Sequence, residues 1–239
     1  MAWIESLPEK NMQNALSEKS FQFLVELEKH TSDKAWFEEH KTAYKQYLYD
    51  PLYELAERLG PVMLSLDAGF EVTPWKVISR IYKDTRFSRD KALYKSNIWL
   101  TFKRPDKNWH DAPCFFFEIF PDGFRYGMGF YQATSATMNG IRNVIAEKPQ
   151  EFLRLMEKPL EIYEVQGEAY KKPPQSELPS AVNALILRRN FYLQRWRAPA
   201  VLPLHELMHD LTPHYECLGE LYMYLIRVKA RIASVLNTP

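Results

Sequence analysis

Cys114-Phe115-Phe116-Phe117-Glu118-Ile119-Phe120-Pro121-Asp122-Gly123-Phe124-Arg125-Tyr126-Gly127-Met128-Gly129-Phe130-Tyr131 is the stretch on which the fold turns. Residues 114–120 are apolar on both faces except at Glu118, the pattern of a strand covered on both sides, so helices are expected to pack over the sheet. Phe120-Pro121-Asp122-Gly123-Phe124 is a hairpin signal: proline presets the second turn position and Gly123 is suited to positive φ. A three-residue Pro-Asp-Gly loop would pair Phe120 with Phe124 and Glu118 with Tyr126, leaving Glu118 and Arg125 on opposite faces. A two-residue Asp-Gly turn would shift the register by one and bring them to one face. The three-residue loop is expected, because proline followed by Asp and Gly suits a type I turn with a glycine bulge. Gly127 and Gly129 leave a bare strip of backbone, for which close packing of a helix is the expected cause.

Upstream, Val77 to Phe87 alternates. Arg80, Tyr82, Asp84 and Arg86 point one way; Ile81, Lys83, Thr85 and Phe87 point the other, so a strand is expected. Between Lys76 and Lys95 there are seven basic residues and two acidic ones, Asp84 and Asp90, in a chain of net charge +1. Such an excess calls for partners or for an anion. Two readings stand. In one, the aspartates pair with the arginines and pin the turn. In the other, the turn forms a pocket for phosphate or carboxylate, with arginine as the bidentate donor. Asn97 to Arg104 then alternates again as a further strand. Glu118 is costly to bury unless paired. It is either a general base or ligand contact, or the structural partner of an arginine.

The run Arg80-Ile81-Tyr82-Lys83-Asp84-Thr85-Arg86-Phe87-Ser88-Arg89-Asp90-Lys91-Ala92-Leu93-Tyr94-Lys95 resembles a motif R-I-Y-R-D-T-R-F-S-x-D-K-x-P-Y-K. That motif belongs to a widespread family of conserved uncharacterised proteins from bacteria and fungi, a domain of unknown function. The glycine-rich hairpin that follows is similar too, and Trp36-Phe37-Glu38-Glu39-His40-Lys41 resembles the family's W-F-x-x-N-K with His40 in place of Asn. Leu93 stands where the family has proline, which loosens the expected turn. The resemblance runs from about Phe21 to the C-terminus. It implies an architecture and no mechanism.

Composition narrows the rest. The chain has 239 residues, 46% of them hydrophobic and 14% aromatic, enough for a sizeable core. Near-neutral charge gives no global pull toward nucleic acid or membrane. Cys114 and Cys217 are the only cysteines and read as core residues in a reducing compartment. No signal peptide is expected, and no apolar run is long enough for a membrane span. The cytoplasm is the expected location.

Residues 1–13 read as a loose leader. A helix is expected from Leu16 to Lys29, and Thr31-Ser32-Asp33 caps a second that ends at Asp50-Pro51. Pro51 opens a third, interrupted by Gly60-Pro61. Thr134 or Ser135 caps another, Pro149 opens a short one, a short strand is expected around Tyr163 to Tyr170, and Ala181 to Leu187 reads as helical. Arg188-Arg189-Asn190-Phe191-Tyr192-Leu193-Gln194-Arg195-Trp196-Arg197 interleaves four arginines with three aromatics. That is the composition of a stacking and phosphate-binding surface, or of an amphipathic segment with its aromatics in the core. A last helix is expected from Thr212-Pro213.

His205-Glu206-Leu207-Met208-His209 is a literal H-E-x-x-H, which on a helix presents two imidazoles and a general base to zinc. Against it, Thr212-Pro213 is expected to end that helix one turn later, and Tyr215 stands where the longer pattern needs a third histidine. No metal site is therefore assigned, and a zinc hydrolase at His205 and His209 remains the third reading. No dinucleotide fingerprint, Walker loop or nucleophile elbow occurs, so no cofactor is expected.

The sequence thus predicts one α+β domain: helices over 14–66, a largely antiparallel sheet over 77–131, and a mostly helical layer over 134–239. An anion-preferring pocket is expected at Arg80, Asp84, Arg86, Asp90 and Lys95, with Tyr94, Glu118 and Arg125 as further candidates. The partner would be an anionic small molecule. The alternative is an enzyme acting on a phosphorylated small molecule or nucleic acid, with Glu118 or Asp84 as base.

Overall fold

The structure, a computed structural model, describes residues 14–84, 92–172 and 179–236. It is α+β. Five antiparallel strands form the main sheet: β2 (Ile98–Phe102), β3 (Pro113–Phe120), β4 (Gly123–Phe130), β5 (Glu164–Gln166) and β6 (Tyr192–Arg197), in the order β2-β3-β4-β6-β5. A two-stranded ribbon pairs β1 (Asn14–Leu16) with β7 (Leu202–Pro203). The expected leader lies outside the described residues. The expected first helix is shorter than its apolar pattern: Leu16 belongs to β1, and α1 (Glu18–Lys29) starts after a capping box made by Ser17 and Ser20.

Helix α2 (Lys34–Tyr44), capped by Asp33 as expected, does not end at Asp50-Pro51. The chain widens into one π turn, Lys45–Tyr49, in which the Asp50 N–H donates to the Lys45 carbonyl. It then continues as α3 (Asp50–Leu66). The wider turn absorbs the missing proline donor. Pro61 does not interrupt α3 either. An interior proline costs about 3 kcal/mol, whereas Leu55, Leu59 and Met63 on the same helix are wholly buried, each worth about 1.5–3 kcal/mol.

A short helix α4 (Pro74–Val77) replaces the start of the expected strand. Residues 78–82 instead meet the sheet through isolated bridges, Ile78 to Leu100 at the free edge of β2 and Tyr82 to Tyr94 in the segment that leads into β2. The predicted alternation survives there: Ile81 is buried, while Arg80, Tyr82 and Asp84 are exposed. Helices α5 (Ser135–Glu147), α6 (Pro149–Ile162) and α7 (Ser180–Ile186) follow, and α8 (Leu204–Leu236) closes the fold. The last is one helix of 33 residues with Pro213 inside it, so Thr212-Pro213 neither ends nor starts a helix.

The sheet expected over 77–131 is thus wider, because β5 and β6 come from the segment read as a helical layer. Its two faces also differ. Phe115, Phe117 and Ile119 are 0% exposed, with Tyr215 and Tyr222 of α8 packed on Phe115 at ring separations of 5.6 and 5.3 Å. On the opposite face Trp99, Phe116, Phe120, Tyr192 and Gln194 are only partly buried and Trp196 is exposed. The run of phenylalanines therefore does not mean equal cover on both sides.

Candidate functional site

The half-open face is built around one ion pair. The hairpin loop is neither of the two expected from sequence. It is Pro121-Asp122, so Phe120 pairs with Gly123 and Glu118 pairs directly with Arg125. Gly123 opens β4 at φ +155°, and a Cβ there would lie 3.0 Å from the Trp196 ring and collide with the Arg197 carbonyl. Its glycine serves the approach of β6, which sets the register that places Glu118 and Arg125 on one face.

Glu118 is 8% exposed and fully engaged. Its Oε2 accepts from Arg125 Nε at 2.8 Å and from a terminal nitrogen at 2.6 Å, and its Oε1 accepts from Asn97 Nδ2 at 2.5 Å. The other arm of Arg125 donates to Gln194 Oε1 at 2.9 Å and Tyr192 Oη at 3.3 Å. The guanidinium carbon lies 5.2 to 5.7 Å from the ring centres of Phe116, Phe120 and Tyr192. A carboxylate with both oxygens so occupied holds Arg125 in place.

Lys95 comes to the same face from the returning edge segment. Its N–H donates to the Ile81 carbonyl at 2.9 Å, and Lys83 donates to Leu93 at 2.8 Å. Leu93 and Tyr94 both donate to the Thr31 carbonyl, at 2.8 and 2.9 Å, which ties the segment to the α1–α2 corner. The Lys95 ammonium stands 3.9 Å from the centre of the Trp99 ring. Among the described residues it has no ion-pair partner. Burial pushes its pKa down to about 8, against the pull of the Glu118 charge.

The remaining sequence candidates separate. Tyr94 is 2% exposed and stacked on Phe37 at 4.1 Å, so it is a core residue. Arg80 and Asp84 are exposed on the edge segment. Arg86 and Asp90 lie outside the described residues. Lys95, Glu118 and Arg125 thus share one face, while Tyr94 packs in the core and Arg80 and Asp84 stand exposed on the edge segment.

Gly127 and Gly129 are bare because of a strand. A Cβ on Gly127 would fall on the Leu193 carbonyl of β6, and one on Gly129 would fall on Tyr192. Strand β6 also splits the arginine and aromatic run. Tyr192, Gln194 and Trp196 join the half-open face; Leu193, Arg195 and Arg197 turn toward α8. There the sequence reading missed a second polar cluster. Tyr126 donates to Asp210 Oδ2 at 2.9 Å, and Arg197 reaches the same carboxylate at 3.3 Å. Arg195 donates to His214 Nε2 at 3.1 Å, which requires a proton on Nδ1, facing the Asp210 carbonyl. The alternation of residues 192–197 was the signal for it. His205, Glu206 and His209 are exposed on α8, and no group of three metal-ligating side chains assembles among the described residues. No helix among these residues is long and apolar enough to cross a membrane.

Residues 19–224 match the model of a family described as conserved hypothetical protein, DUF2461. Among curated proteins, none matches the chain.

Proposed function

We propose, for a chain that belongs to the DUF2461 family of conserved hypothetical proteins, that the half-open sheet face binds a small anionic ligand whose phosphate or carboxylate meets Lys95. The observation that carries this is the state of Lys95. A partly desolvated ammonium over an indole ring, with no carboxylate in ion-pair reach among the described residues, gains most from an anion supplied by solution. Trp99, Phe116, Phe120 and Trp196 offer apolar flanks for the body of such a ligand. Arg125 stands beside them, already oriented by Glu118. Engagement of both Glu118 oxygens favours binding over proton transfer. We read the compartment as cytoplasmic, since Cys114 and Cys217 are both unpaired.

Thermal shift against phosphate, nucleotides, sugar phosphates and small carboxylates at fixed low salt tests the proposal. A ligand at a hundred times its dissociation constant adds about 2.7 kcal/mol, a rise of roughly 5–11 °C for a chain of this size. The expected result is a selective, saturable shift that Lys95→Met abolishes while the free protein stays folded. A flat panel, or a shift that Lys95→Met leaves intact, overturns it.

A further inference from the structure

A cavity lies at the other end of the sheet, where β3 starts. Its volume is about 220 Å³, and Lys103, Trp109, Pro113, Tyr222, Ile226 and Ala230 line most of it. Pro113 is five residues from Glu118 along β3, roughly 17 Å at strand rise, so this is a separate place from the Lys95 face. Three cations border the cavity, and two of them are spoken for. Arg104 donates to Asp67 at 2.7 Å, and Lys229 lies 3.0 Å from the Asp111 carboxylate. Lys103 has no ion-pair partner among the described residues. Its ammonium sits 3.3 Å from the centre of the Trp109 ring, which is itself stacked on Tyr131 at 5.7 Å.

We infer that this cavity is a binding site for a small amphipathic carboxylate, its apolar body between Trp109, Pro113 and Ile226 and its charge on Lys103. Size and charge select that class. About 220 Å³ is below the roughly 300–1,000 Å³ of sites that take drug-sized ligands. One uncommitted cation matches one negative charge. Asp106 at the rim, whose carboxylate accepts the Asn108 N–H at 2.6 Å, disfavours a dianion such as phosphate. The apolar walls disfavour a fully hydrated anion. Burial also pushes the Lys103 pKa down, the direction expected of an ammonium that a bound anion would re-stabilise.

Calorimetric titration of the full chain with benzoate, phenylacetate and hexanoate, and with their neutral amides, tests the inference. Saturable binding of at least one carboxylate is expected at about 1 mM or below, with the matching amide at least about tenfold weaker. Lys103→Met keeps the length and apolar stem of the side chain and is expected to weaken the carboxylate about tenfold. Ala230→Leu, on the helical wall, fills the space and is expected to abolish binding with the circular dichroism spectrum unchanged. Lys95→Met is expected to bind normally, which separates this site from the sheet face. No saturation by any carboxylate, equal binding of acid and amide, or wild-type affinity in Lys103→Met or Ala230→Leu overturns it. So does an affinity that follows Lys95→Met.

Discussion

At the scale of single residues, the chemistry of this molecule rests on which charges are matched. Glu118, Arg125 and Asn97 satisfy one another, while Lys95 has no carboxylate within ion-pair reach among the described residues. That difference sets a pH dependence. An unfolded lysine titrates near about 10.4; in the fold Lys95 is pushed down to about 8. Between those values the unfolded chain binds more protons, so stability rises with pH across that window. Below about 8 the cost of the half-buried ammonium is present in full. The ligand affinity proposed for the sheet face runs the other way: it is flat at neutral pH and falls as pH climbs through about 8. Urea unfolding from pH 7 to 10, wild type against Lys95→Met, isolates this term. The wild-type curve is expected to rise relative to the variant above about pH 8; parallel curves would remove Lys95 from the account. Glu118 was legible in the sequence as a carboxylate stranded among phenylalanines. Its partner was not, because the choice of Arg125 turns on one residue of hairpin register, and Pro121-Asp122-Gly123 permits several loops. Gly123 settles the matter through a contact with β6 that lies more than 70 residues along the chain.

At the scale of elements, local signals were read correctly where local physics decides. Asp33 and Thr134 cap their helices through side-chain oxygens, and both were visible as caps. Pro61 and Pro213 misled, since both sit inside helices whose buried faces outweigh one lost hydrogen bond, whereas Pro51 lies in the first turn of α3, the helix it was expected to open. Strand β6 was missed for a related reason. Its period of two was there in residues 192–197, but Arg195 and Arg197 do not look like an inward face until Asp210 and His214 of α8 are brought opposite. The β4–β6 pairing then carries a sharp prediction. Gly127→Ala places a methyl group where the Leu193 carbonyl stands, and neither backbone can retreat without breaking the ladder. A loss of more than about 4 kcal/mol, or failure to fold, is expected on chemical denaturation. Gly60→Ala, whose Cβ would meet no atom closer than Val72 Cβ at 3.6 Å, serves as the tolerated comparison. Equal stabilities for the two variants would mean that β4 and β6 are not packed so closely.

For the whole molecule, the joint between the helical layer and the sheet is made by aspartates. Asp67, at the end of α3, accepts from Arg104 beyond β2 and from Tyr222 of α8. Asp111, just before β3, accepts from the N-terminus of α5 through Thr134 and Thr137 and from Lys229 of α8. Burial alone would raise both pKa values. The converging hydrogen bonds and the Arg104 and Lys229 charges outweigh it and hold both carboxyls below the ordinary range. The sign for stability follows. A carboxyl whose pKa is depressed by folding contributes fully above its unfolded value, about 3.9, and loses that contribution as pH falls through the lower folded value. Both joints therefore weaken over the same window, and acid is expected to separate the layers together. Unfolding free energy should be steady from pH 7 to about 5 and fall steeply below about 4. Asp67→Asn keeps the shape but not the charge, so it should cost about 2 kcal/mol at pH 7. Its own acid slope should be shallower, so that the gap to wild type narrows by pH 3. If the gap is the same at pH 7 and pH 3, the Asp67 charge is not what joins α3 and α8 to the sheet, and the joint is packing alone.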